Sequence, residues 1–174
     1  MAVTGVSLSG QERTFHQDEI IVSKTDLKGQ ITYANDVFLR VSGFTEEELL
    51  GRPHNIVRHP DMPRCVYKML WDRIQAGNEI FAYVINRAKN GDHYWVFAHV
   101  TPVFGRDRAI TGYHSSRRLP ARKAVEAATG LYALLRAEEA KHTDRSTAMA
   151  AAGALLGNIL RDKGTTYDEF VFSL

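Results

Sequence analysis

The sequence predicts an α+β fold, a five-stranded antiparallel sheet with short helices on one face, followed by a C-terminal helical extension. Three observations lead there. Apolar–polar alternation with turn residues marks two strands before residue 35 and three more between residues 79 and 118. Between these blocks lie short stretches with helix caps rather than strand periodicity. Beyond Pro120 the composition shifts to Ala, Leu, Glu and Arg, the signature of longer helices.

Taken in order, residues 1–17 read as a polar, loosely ordered lead. "EIIVSKTDLKGQITYAN" reads as a β-hairpin, with Gly29 supplying the positive φ of its turn. Asn35 or Asp36 caps a short helix, "DVFLRVSG", that Gly43 ends. In "TEEELLG", Thr45 and Glu48 form a capping box and Gly51 terminates the turn. A loop follows, and Pro63 opens a third helix over about 62–76. "EIFAYVINRAKNGDHYWVFAHVTPVF" holds two strands around the hairpin signal Asn90-Gly91, and "AITGYHSSRRL" the last strand. The domain limits are therefore a lead at 1–17, an α+β domain at 18–118, a helical extension at 119–164 and an aromatic tail at 165–174. The tail, "TTYDEFVFSL", is expected to dock on this chain or a partner, because exposed Tyr167, Phe170, Val171 and Phe172 gain nothing in water.

The totals exclude several classes. Of 174 residues 44% are hydrophobic, enough for a packed core. The 22 Lys and Arg exceed the 20 Asp and Glu by only 2, too little for a nucleic-acid binder. One cysteine, Cys65, rules out an internal disulfide and suits a reducing cytoplasm. No apolar run reaches the roughly 18 residues of a membrane span, and the start carries no secretory signal. His93, His99 and His114 are scattered along strands and suggest no metal site. No catalytic triad or paired carboxylates stand out, so a non-enzymatic role is expected.

"GRPHNIVRHPDMPRCVYKMLW" places Arg58, His59 and Asp61 around Pro60, ahead of Tyr67 and Trp71 on one helix face. On spacing alone this is a self-satisfied loop with Asp61 capping the next helix, and Trp71 is ordinary core. Several motifs in order change that reading. "YAND", "VSGF", "GRPHNIVRHPDMP" and "KNGDHYW" together resemble the PAS domain of the Aer aerotaxis transducers, over about residues 18–118.

The resemblance implies a PAS fold and non-covalently bound FAD that reports redox state or oxygen-linked electron flow. It assigns Arg58, His59 and Asp61 to the flavin-binding loop, Trp71 and Tyr67 to the slot around the ring, Asn86 to the pyrimidine edge, and Asn35 to a position near the cofactor. Related light sensors carry a cysteine where this chain has His54, so no photochemical thiol adduct forms here. Where those sensors carry a second asparagine, this chain has Val96. Haem-binding PAS domains use a histidine on or just before the third helix. Residues 62–76 contain none, and His59 alone keeps that alternative open. The other alternative is a cofactor-free PAS module for protein interaction or dimerisation. The expected partners are a second copy of the chain, a chemoreceptor or a histidine kinase, with no direct membrane span and a cytoplasmic location.

Overall fold

The computed structural model describes residues 7–174. Among them β1 (Ile21–Thr25), β2 (Ile31–Ala34), β3 (Ile80–Arg87), β4 (His93–Phe104) and β5 (Ile110–Arg118) form one antiparallel sheet in the order β2-β1-β5-β4-β3. The chain leaves the sheet at β2 on one edge and returns at β3 on the other. Between them run α1 (Asp36–Ser42), α2 (Glu46–Leu49), a 3-10 turn (His54–Val57) and α3 (Arg64–Gln75). The fold is the predicted one.

Local chemistry sets most of these elements. The β1–β2 turn closes because the Asp26 carboxylate accepts from the backbone N–H groups of Lys28 and Gln30, while Gly29 takes φ +77°. The Asn35 side chain accepts from the Phe38 N–H and caps α1, and Gly43 ends it in the left-handed region. The Thr45–Glu48 capping box is present as predicted. Helix α3 starts after Pro63 with no side-chain cap; Asp61 is engaged elsewhere.

Register divides the sheet into two faces. One row across its inner face runs Ile21, Arg117, Ala98, Ala82; the next runs Ser23, Ser115, Val100, Ile80. The opposite face carries Phe81, Tyr83, Phe97 and His99. Strand β3 is buried along nearly its whole length, on both faces, because the C-terminal helices cover its free edge. These are α4 (Arg122–Glu139), α5 (Arg145–Asp162) and α6 (Tyr167–Ser173). The Tyr132 hydroxyl donates to the Tyr83 carbonyl at 2.5 Å and the Tyr167 hydroxyl to the Phe81 carbonyl at 3.0 Å. A backbone bridge between Arg58 and Asn86 covers the same edge further along. Left bare, such an edge would be a template for pairing with other chains. The aromatic tail thus docks on its own chain, with Val171 buried and the Phe172 ring tilted against Phe81, centroids 4.7 Å apart.

The lead differs from expectation in its described part; residues 1–6 lie outside the described residues. Residues 7–15 dock on the β3–β4 hairpin. Asp92 accepts from the Ser9 hydroxyl, the Arg13 guanidinium and the Asn90 amide, and Phe15 is buried. Those donors hold the Asp92 carboxyl down at about 2. The sequence concealed this contact because its anchor lies some eighty positions away in the chain.

Candidate functional site

A cavity of about 200 Å³ lies between the inner face of the sheet, α3 and the segment 53–58. Alternation along the strands turns Ser23 and Thr25, Val84 and Asn86, and Tyr113, Ser115 and Arg117 toward it. Helix α3 contributes Tyr67, Leu70, Trp71 and Ile74, one face of two helical turns. The Trp71 indole stands edge-on to Tyr113, centroids 5.5 Å apart. It also leans on Gly29: a Cβ there would meet the indole at 2.9 Å. The 53–58 segment supplies His54, Asn55, Val57 and Arg58.

Two cations face this aromatic and apolar space. The Arg58 guanidinium lies 3.8 Å over the Tyr67 ring, a cation–π contact. Burial pushes the Tyr67 phenol up to about 12 despite that neighbouring charge. The Nε of Arg58 is buried with no hydrogen-bond partner among the described residues. Arg117 is more extreme, at 2% exposure. Its Nη2 donates to the Ser23 hydroxyl and its plane lies 4.7 Å over Phe38. Its Nε and Nη1 are buried without partners, and it pairs with no carboxylate among the described residues. Burial pulls its pKa down to about 10.

His54 completes this cluster. Its Nε2 lies 3.1 Å from the Ser23 hydroxyl, and its ring stacks on Phe38. Burial, then the charge of Arg117, brings its pKa down to about 3, so the ring is neutral at physiological pH. The Ser23 hydroxyl accepts from Arg117 and also meets Nε2, so it bridges the guanidinium and the imidazole. The result is a positively charged wall with three buried donor nitrogens that have no partner among the described residues, opposite an aromatic wall. Such a wall suits a planar, electron-rich ligand that carries or acquires negative charge.

The structure brings four of the seven anticipated residues to the cavity: Arg58, Tyr67, Trp71 and Asn86. The other three do not line it. The Asn35 side chain is fully engaged, accepting from the Val22 and Phe38 N–H groups and donating to the Ile20 carbonyl. His59 is buried; its Nδ1 accepts from the Asp61 N–H, and its ring packs 5.8 Å from His93. Burial lowers its pKa. Asp61 forms an ion pair with Arg136 of α4, tying the loop to the helical extension. The sequence reading passed over Arg117 and Ser23 and treated His54 only as a missing cysteine. The available signal was parity: Tyr113, Ser115 and Arg117 alternate along β5 and share the inner face. Cys65 is buried and its thiol is pushed up to about 12, which fits a packing role.

Comparison with known proteins agrees with this architecture. The PAS fold family matches residues 31–117. The aerotaxis receptor of Escherichia coli (strain K12) is 43% identical over 127 residues, 73% of this chain and 25% of the receptor. The nitrogen fixation regulatory protein of Klebsiella pneumoniae is 28% identical over 59% of this chain and 21% of that protein. The chain thus spans about a quarter of the length of these relatives. Among solved structures, a light-oxygen-voltage domain studied with a flavin analogue superposes with a TM-score of 0.58 at 17% identity, covering 71% of this chain and 90% of that one. The light state of the blue-light photoreceptor Aureochrome1 LOV superposes at 0.57 with 18% identity, over 66% and 90%. At those identities the likeness is one of fold. Fold, ordered motifs and the match to the aerotaxis receptor agree: the chain belongs to the PAS family, with a PAS domain of the aerotaxis-receptor type.

Proposed function

We propose that this PAS domain binds FAD in the cavity beneath α3 and senses redox state or oxygen-linked electron flow, passing the change to its C-terminal helices or to a signalling partner. The observation that carries the reading is Arg117, a buried guanidinium on the wall of an aromatic slot whose Nε and Nη1 have no partner among the described residues. A buried cation without a counter-charge is costly unless a ligand supplies one. The similarity to an aerotaxis receptor and to flavin-associated domain structures supports a flavin.

A flavin held here would supply reversible electron uptake, with negative charge developing on its ring. The chain's own groups do the rest. Trp71 and Tyr67 exclude water and flank the slot. Arg117 offers donors where charge accumulates. Asn86 offers an amide that is able to turn between donor and acceptor. Arg58 is free to leave the Tyr67 face for a carbonyl or phosphate. Asn35, His59 and Asp61 position the loop and strands around the site rather than touching the ligand.

Each hydrogen bond made or lost in such a pocket is worth about 1 to 3 kcal/mol, enough to bias a two-state equilibrium about 5- to 150-fold. Ile74 and Tyr113 bound the cavity and belong, with Ile80, to an apolar cluster against which Tyr167 of α6 packs, so the wall of the site adjoins the C-terminal helices. The partner would be a second copy, a chemoreceptor or a histidine kinase. The test is the absorbance of the purified protein before and after dithionite. Flavin bands in the blue that bleach and return with air, with FAD identified by mass after release, are expected. A colourless protein that takes up neither FAD nor FMN refutes the reading, and a Soret band would assign haem instead.

A further inference from the structure

Helix α6 lies in a groove built by the rest of the chain. Val66 of α3, Tyr83 of β3, Ala128, Leu131 and Tyr132 of α4, and Leu156 of α5 line it. Tyr167, Phe170, Val171 and Leu174 enter it, at positions i, i+3, i+4 and i+7 of one helix face. Two polar anchors fix its register. The Tyr167 hydroxyl donates to the Phe81 carbonyl at 3.0 Å, and Arg73 holds both oxygens of Asp168 at 2.5 and 2.8 Å.

Most of the hold is apolar, and its polar part is modest. The Arg73–Asp168 pair is about one-third to one-half exposed, where an ion pair contributes little. The helix has seven residues, and its Thr166–Glu169 capping box cannot keep so short a helix folded away from the groove. It joins α5 through a short connector in which Gly164 takes φ +63°, a bend that glycine accepts without strain. When α6 leaves, the apolar walls and the Phe81 carbonyl on the sheet edge are bared together.

We infer that this groove is an exchangeable docking site, and that its occupant in trans is α6 of a second copy of the chain. The fit is assured because the incoming helix has the same sequence, including the acid that meets Arg73. The geometry is that of an exchanged terminal element, a low-cost route to a dimer. The tethered helix competes at high effective concentration, so exchange shows when the tethered hold is weakened. The inference stands apart from the flavin reading and does not rest on it.

The test uses the full chain and a fluorescein-labelled peptide of residues 163–174. Fluorescence anisotropy should show weak saturable binding to the natural chain. Binding to the Asp168→Asn chain should be about fivefold tighter, the weight of one partly exposed ion pair on the competing helix. A peptide carrying Val171→Asp should bind neither chain. A natural peptide that binds neither chain, or both equally, overturns the inference, as does a Val171→Asp peptide that binds as well as the natural one. Amide exchange gives a second, independent measurement on the unaltered chain. Residues 167–174 should exchange at least tenfold faster than the buried centre of β4; equal protection would mean that α6 never leaves and would overturn the inference.

Discussion

Replacing Arg117 with methionine separates the cost of the buried cation from its use. Burial lowers its pKa from the usual 12.5 to about 10. At about 1.4 kcal/mol per pH unit, that drop corresponds to about 3 kcal/mol of destabilisation. The sign follows from proton binding. The folded chain holds this proton less tightly than the unfolded chain, so at neutral pH, where both are protonated, the penalty is present in full. It fades only as pH rises above about 10. Two contacts offset it: the bond to Ser23 and the face of Phe38, each worth about 1 kcal/mol. The balance is a net cost of about 1 kcal/mol, and methionine fills much the same volume without charge. Flavin-free R117M should therefore melt roughly 2 to 4 °C higher than the flavin-free natural chain. It should also retain much less flavin. Thermal unfolding by circular dichroism and the flavin-to-protein absorbance ratio measure the two effects. A flavin-free R117M that melts lower would show that the guanidinium is already compensated, and the reasoning from an orphaned cation would fail.

Other perturbations follow from the same geometry. Folded His54 takes a proton only near pH 3, unfolded His54 near 6.5, so stability falls as pH drops below about 6.5, by up to about 1.4 kcal/mol per pH unit. H54Q should lessen that slope, and urea midpoints at pH 7, 6 and 5 that fall equally in both proteins would refute it. Y132F leaves the Tyr83 carbonyl on the sheet edge without its donor and should cost about 1 to 3 kcal/mol in urea unfolding; a loss under about 0.5 kcal/mol would show that the edge finds another partner. G29A places a methyl where the backbone is left-handed and Trp71 is 2.9 Å away. It should cost about 1 to 2 kcal/mol and push the indole into the cavity. Lower flavin occupancy that W71F partly restores is the expected readout, and unchanged occupancy would remove Trp71 from the wall of the site.

Much of this was legible from residues near one another in the chain. Turns at Gly29 and Gly91, the caps at Asn35, Thr45 and Glu48, and the strand alternation rest on contacts within a few positions. So does the pairing of Tyr67 and Trp71 on one face of α3. The site was only partly legible. Arg58, Tyr67, Trp71 and Asn86 share the cavity, while Asn35, His59 and Asp61 are spent on a helix cap, a local turn and an ion pair with α4. The motif marked the loop as special but did not reveal which side chains turn inward.

By itself, then, the sequence determined the α+β class, the hairpins, the helix caps and the kinship with aerotaxis-type PAS domains, because these depend on local backbone preferences and on ordered motifs. Tertiary structure decided the rest. It set Arg117 beside Ser23 and His54 with no carboxylate partner among the described residues, turned the tail back as a helix over the β3 edge, and tied the lead to Asp92. Each of these depends on which groups meet across tens of residues. In a low-dielectric interior the presence or absence of one partner changes a charge's energy by more than any local preference.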